Sequence, residues 1–141
     1  MNILVTDTGF VRDDWTDGFT SPDQPDATAL DIGPDTDPAS LADRLPGLRM
    51  IRVDFPSFAD GRGFSIACQL RRLGFDGRLR ARGHVLADQY AMARRSGFDE
   101  IEIDDELATR QPQDQWLARA DWRAHDYQSR LRGQPQSQAA P

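Results

Sequence analysis

The chain has one cysteine, two histidines and no lysine among its 141 residues, and each scarcity closes a class of function. A single thiol, Cys68, excludes an intrachain disulfide, a four-cysteine iron–sulfur centre and a cysteine zinc knot. No cofactor motif is visible and no cofactor is expected, so any redox role borrows one. His84 and His125 stand far apart without a local cluster, which argues against a bound metal. The absence of lysine rules out a Walker loop. No run approaches the roughly 18 apolar residues of a membrane span. The opening MNILVTDTGF lacks a basic stretch followed by an apolar one, so a cytoplasmic protein without membrane contact is expected.

What is present fits one domain around one core, on the lean side at 38% apolar residues. All seventeen basic residues are arginine, which reads as the imprint of a GC-rich genome. Charge is uneven. Residues 1–48 hold ten aspartates against Arg12 and Arg44, whereas residues 62–95 hold eight arginines against Asp76 and Asp88, a local excess that attracts anions or is simply a solvated surface. The whole chain is nonetheless at −6 with a pI near 4.8, which disfavours nucleic acid as a partner.

Along the chain, Ile3 to Thr6 and Phe10 to Arg12 flank Asp7-Thr8-Gly9, so residues 1–15 read as a β-hairpin. Residues 16–37 form an acidic, Pro- and Thr-rich loop or arm in which only Ala29 to Ile32 suits a strand. Asp37-Pro38 is a helix start, and Pro46-Gly47 ends a short helix. Residues 38–132 then alternate: strand Arg49 to Phe55, helix Phe64 to Leu73, strand Arg78 to Arg82, helix Leu86 to Ser96, strand Glu100 to Asp104. Gly74-Phe75-Asp76 and Gly97-Phe98-Asp99 repeat 23 residues apart, each a glycine helix cap followed by an aromatic that packs back. From Gln111-Pro112 a long C-terminal helix is expected, with Trp116, Ala120, Ala124, Tyr127 and Leu131 as its core stripe and His125 on its solvated side. Residues 133–141 read as a disordered tail. The fold class is α/β: a small parallel sheet of repeated βα units, helices mainly on one face.

The strands carry an unusual alternation. Ile51, Val53, Phe55, Leu79, Ala81, Ile101 and Ile103 share the face under the helices, which leaves Arg52, Asp54, Arg78, Arg80, Arg82, Glu100, Glu102 and Asp104 on the other. Arginines and acids on neighbouring strands would form a cross-strand ladder. The pattern favours a two-layer domain whose charged face meets water. The alternative is a partial barrel closed by the N-terminal segment or by a second copy in a homodimer.

Ligands of a parallel sheet collect at the carboxyl ends of its strands. Asp60-Gly61-Arg62-Gly63 leaves one such end and precedes a helix containing Ser65, and Arg82-Gly83-His84 leaves another. Glycines admit backbone N–H groups to a ligand, and Arg62 with Arg82 would grip a sulfate, sulfite or phosphate group. The same residues also read as a tight strand-to-helix turn capped by Asp60. His84 and Asp88, four apart, suit either an acid–base pair or a helix cap, and Asp88-Gln89 close the block. Cys68, beside Ile66 and Leu70, reads as a small buried residue rather than a reactive thiol.

FPSFADGRGFSIACQLR, RLRARGHVLADQ and RRSGFDEIEI together resemble the signature of a bacterial family known as domain of unknown function nine hundred thirty-four. Asp13-Asp14-Trp15 and Tyr127-Gln128 resemble its flanking motifs, and Cys68, His84 and Tyr90 depart from it, standing where Arg, Asp and an aliphatic residue are usual. The resemblance implies an oxidoreductase-type factor encoded beside assimilatory sulfite reductase genes, with no catalytic residues established. The expected role is therefore an accessory protein of sulfite reduction that docks on the reductase or another sulfate-assimilation protein, or binds a small oxyanion. A small enzyme acting on a sulfur oxyanion or its nucleotide carrier is the alternative.

Overall fold

The computed structural model describes residues 2–125. Tyr127, Leu131 and the expected tail from Gly133 lie outside the described residues, as does the side chain of His125. Six strands build one sheet: β1 Ile3–Thr6, β2 Gly9–Val11, β3 Ala29–Ile32, β4 Met50–Phe55, β5 Arg78–Gly83 and β6 Glu100–Ile103, in the spatial order β2-β1-β6-β5-β4-β3. From β3 to β6 neighbours are parallel, while β1 pairs antiparallel with both β6 and β2. The connections are a 3-10 helix at Pro38–Gly47, helix α1 at Arg62–Arg72, and a 3-10 turn at Ala87–Gln89 running into α2 at Tyr90–Ser96. Each step from β3 to β6 moves one strand over in the same direction. Right-handed crossovers in one direction place every connection on one face, which is why the helices lie together.

That face holds the core. Ile51, Val53, Phe55, Leu79, Ala81, Ile101 and Ile103 pack with Ile66, Ala67 and Leu70 of α1 and Tyr90 and Ala93 of α2. Gly74 and Gly97 take φ of +100° and +118° and turn the chain so that Phe75 and Phe98 fold back, both buried. The hairpin turn is tied to the same layer: Asp7 accepts from the Tyr90 hydroxyl, from Arg94 Nε at 3.1 Å and from Trp122 Nε1 at 3.3 Å. Burial pushes the Tyr90 hydroxyl pKa up, and the adjacent Asp7 carboxylate adds to it.

The charged face is where the structure departs from a sheet open to water. β2 sits at one edge and β3 at the other, so the chain joining them, residues 12–28, crosses the sheet, and it takes the face the helices leave free. Along this strap Asp13 accepts from Arg80 at 3.1 Å, Asp14 from Arg78 at 2.9 Å and Asp17 from Arg49 at 3.3 Å. Phe19 lies 3.8 Å under the Arg52 guanidinium, and Thr20 bridges to Leu30 at the edge. The closing element is thus the N-terminal segment. Composition concealed this, because an acidic, apolar-poor stretch reads as an arm whenever its arginine partners are remote in sequence.

Beneath the strap the expected ladder is present, with Arg80 opposite Glu100 and Arg82 opposite Glu102. Arg80 is fully buried, donating to Glu100 at 2.7 Å and Glu102 at 2.9 Å. Arg52 joins Glu102 at 3.0 Å to Asp31 at 2.5 Å. Burial pushes Glu102 up, but hydrogen bonds from Asn2, Arg80 and Arg52 outweigh it and hold its pKa below the usual value. Asp104 does not join the ladder, because β6 ends at Ile103 and Asp104 caps the next helix, α3 at Asp105–Arg110, by accepting from Leu107 N at 2.8 Å.

The long C-terminal helix does not form among the described residues. α4 spans only Gln113–Leu117, the chain turns, and a 3-10 stretch follows at Trp122–His125. The short α4 is held at both ends of its work. Trp116 is buried with its indole N–H on Gln111 O at 2.8 Å, and Gln113 Oε1 accepts from Phe10 N at 2.7 Å, covering the β2 edge. No helix among the described residues is long and apolar enough to cross a membrane.

Candidate functional site

Because β4, β5 and β6 are parallel, their carboxyl ends open on one side of the sheet, and a cleft of about 440 Å³ lies there. β4 supplies Asp54, β5 supplies Arg82 and Gly83 with His84 following, β6 supplies Glu102, and α3 closes the far wall with Glu106 and Arg110. Phe58, in the loop after β4, meets His84 edge-on with ring centroids 4.9 Å apart. His84 Nδ1 is 3.2 Å from Phe55 O, and a carbonyl only accepts, so Nδ1 carries the hydrogen and Nε2 of the neutral ring keeps its lone pair. Among the described residues no group of three or more His, Cys, Asp and Glu side chains is placed to hold a metal ion.

Gly83 makes the cleft floor. Its φ is +111°, and a Cβ there would lie 2.8 Å from Phe55 O, the same oxygen that accepts from His84 N at 2.9 Å. Gly83→Ala is expected to lower stability by about 1–3 kcal/mol through backbone strain alone. Gly61→Ala, at φ −90° with its nearest atom 3.8 Å away, is the control and should change stability by less than about 0.5 kcal/mol. Equal midpoints for the two variants would refute this account of the turn.

The residues singled out from the sequence are divided among several places. Arg82 and His84 line the cleft. Asp60, Gly61, Arg62 and Gly63 stand at the start of α1, where Arg62 is spent on Asp60 at 2.7 Å and Asp35 at 2.6 Å. Hydrogen bonds from the Arg62 side chain and backbone hold the Asp60 carboxyl down to about 2. Gly63 is required by packing, since a Cβ would come within 2.4 Å of the Phe55 ring. Ser65 borders a different, shallow groove with Cys68, Phe64 and Met92. Cys68 is half-buried there rather than part of the core. Asp88 pairs with Arg119 at 2.8 Å rather than with His84. Gln89 accepts from Leu86 N at 2.9 Å and donates to Phe58 O at 3.4 Å, joining the two signature loops. Asn2, Asp54, Glu106 and Arg110 were missed. The strand-end rule pointed to Asp54, whereas Glu106 and Arg110 reach the cleft only because α3 follows β6 at the same strand ends.

The sequence matches the family described as Bacterial protein of unknown function (DUF934) over residues 29–137. The chain belongs to this family. The DUF934 match begins at β3, so the hairpin and the strap precede it. No curated protein and no solved structure matches the chain. Within the DUF934 region lie all four parallel strands, α1, α2 and the cleft residues other than Asn2.

Proposed function

We propose that this DUF934 protein is a cytoplasmic accessory protein of assimilatory sulfite reduction, in sulfate assimilation and cysteine biosynthesis, that docks on the reductase or on another protein of that pathway. One observation supports an accessory role over a free-standing catalyst. The conspicuous residues of the signature are consumed in building the fold: Arg62 by Asp60 and Asp35, Gly63 by the Phe55 ring, Gln89 by the neighbouring loop. The link to sulfite reduction comes from the family resemblance.

A strain lacking the gene is expected to grow on sulfide or cysteine but poorly on sulfate and sulfite, and the purified chain is expected to retain sulfite reductase from a lysate at low salt. Normal growth on sulfite, or no retained reductase, would overturn the reading. A second reading, a small enzyme acting on a sulfur oxyanion or its nucleotide carrier, is favoured by Arg82 and by the free Nε2 of His84 at the strand ends. It requires that Arg82→Ala abolish growth on sulfite while leaving reductase capture intact.

A further inference from the structure

We infer that the cleft at the strand ends takes a small zwitterion, an α-amino acid, with its carboxylate on Arg82 and its ammonium on Asp54. The argument starts from how fully each charge is used. In the adjoining ladder the arginine contacts run at 2.5–3.1 Å, as in Arg52 with Asp31 and Glu102 and in Arg80 with Asp13, Glu100 and Glu102. At the cleft they loosen to 3.4 Å for Arg82 with Asp54, 3.7 Å for Arg82 with Glu102 and 3.6 Å for Arg110 with Glu106. An arginine carries five N–H donors, so Arg82, its side chain 45% exposed, keeps most of them for a ligand.

The carboxylates sort in the same way. Glu102 already accepts from Arg52, Arg80 and Asn2, and Asp104 caps α3. Asp54, 43% exposed, has only its long contact to Arg82 among the cleft's charged groups. A bare anion entering the cleft would meet Asp54 and Glu106, and a bare cation would meet Arg82 and Arg110. A molecule bearing both signs on adjacent atoms satisfies Arg82 and Asp54 together by inserting at their stretched contact. The α-amino acids have that spacing. His84, with Nδ1 donating to Phe55 O, leaves Nε2 as an acceptor for an N–H of the ligand, and the volume of about 440 Å³ leaves room for a side chain toward Arg110 and Glu106.

This inference does not rest on the docking reading, and the two fail separately. The test is calorimetric titration of the full chain with the common α-amino acids in turn, then with the decarboxylated amine and the deaminated acid of the tightest binder, and with sulfite. Saturable binding of an amino acid is expected, weakened by roughly tenfold or more in either half-molecule and in Arg82→Gln or Asp54→Asn. Arg82 is exposed and Asp54 half-buried, and an unchanged melting curve shows that the variants fold. The proposal is overturned if no amino acid binds saturably, if the deaminated acid or sulfite binds as tightly as the zwitterion, or if Asp54→Asn leaves affinity unchanged.

Discussion

Arg80→Ala is expected to destabilise the protein by about 3–5 kcal/mol, the cost of stranding buried charges when one partner is removed. Arg80 is wholly buried, and its guanidinium donates to Glu100, Glu102 and Asp13. Without it Glu100 keeps only Arg78 and Glu102 keeps Arg52 and Asn2, both carboxylates remaining buried at 6% and 3% exposure. For a domain of this size the melting temperature should fall by roughly 10–20 °C. Arg80→Met combined with Glu100→Leu should recover part of the loss, because removing a charge together with its partner leaves less stranded than removing one. If Arg80→Ala melts within a few degrees of the parent, the ladder is not the keystone of this face.

The same network sets an acid limb. The folded pKa of Glu102 lies below its ordinary value of 4.5, and that of Asp13 lies below 3.8, where burial raises it but hydrogen bonds from Arg80 and Trp15 N lower it further. A depressed folded pKa contributes stability that is full above the unfolded pKa and lost as pH falls through the folded one. Stability should therefore decline from about pH 4.5 downward. In Arg80→Met the opposing push of burial on Glu102 is less well countered, so the variant should be weaker at neutral pH and lose less on acidification. Denaturant midpoints measured between pH 7 and 3 decide this, and parallel curves would contradict it.

Trp116→Ala is expected to cost about 3–5 kcal/mol, the usual toll of emptying a buried aromatic site. Trp116 is 1% exposed, meets Tyr90 edge-on at 6.3 Å, and satisfies Gln111 O through its indole N–H. Loss of the ring also loosens α4, whose Gln113 covers the β2 edge at Phe10 N. Faster amide exchange at Phe10 should accompany the lower melting temperature, whereas Trp116→Phe, keeping a ring but leaving Gln111 O unpaired, should cost less. An alanine variant with full stability and unchanged exchange at Phe10 would show that α4 is an appendage.

Several parts of this architecture were legible before any coordinates. Alternation of apolar and charged residues in β4, β5 and β6 assigned both faces, because neighbouring side chains on a strand point to opposite sides. Gly74 and Gly97 marked helix ends through the backbone conformations that glycine tolerates. The ladder partners Arg78, Arg80, Glu100 and Glu102 followed from adjacent parallel strands, and Asp37-Pro38 marked its helix start, with Ala39 N on the Asp37 carboxylate at 3.1 Å. The break after α4 was not legible, since a stripe at helical spacing, which suggested one long helix, also accommodates a five-residue helix followed by a turn.

The candidate site was legible at only two of its positions, Arg82 and His84, because strand-end residues are local to the sequence while a cleft wall is not. Local pattern by itself determined the strands and helices up to β6, the apolar face, the charged face and the family signature, all of which depend on neighbours a few residues apart. The tertiary structure alone decided what covers the charged face and what faces the cleft. Asp13 meets Arg80 across 67 residues, and Arg110 comes to the same cleft as Asp54 only after β6 is laid down. Ionic contacts are non-directional in sequence: an aspartate run and an arginine run state that pairing is available, and only the path of the chain across the sheet states which charges are matched and which, at Arg82 and Asp54, remain for a ligand.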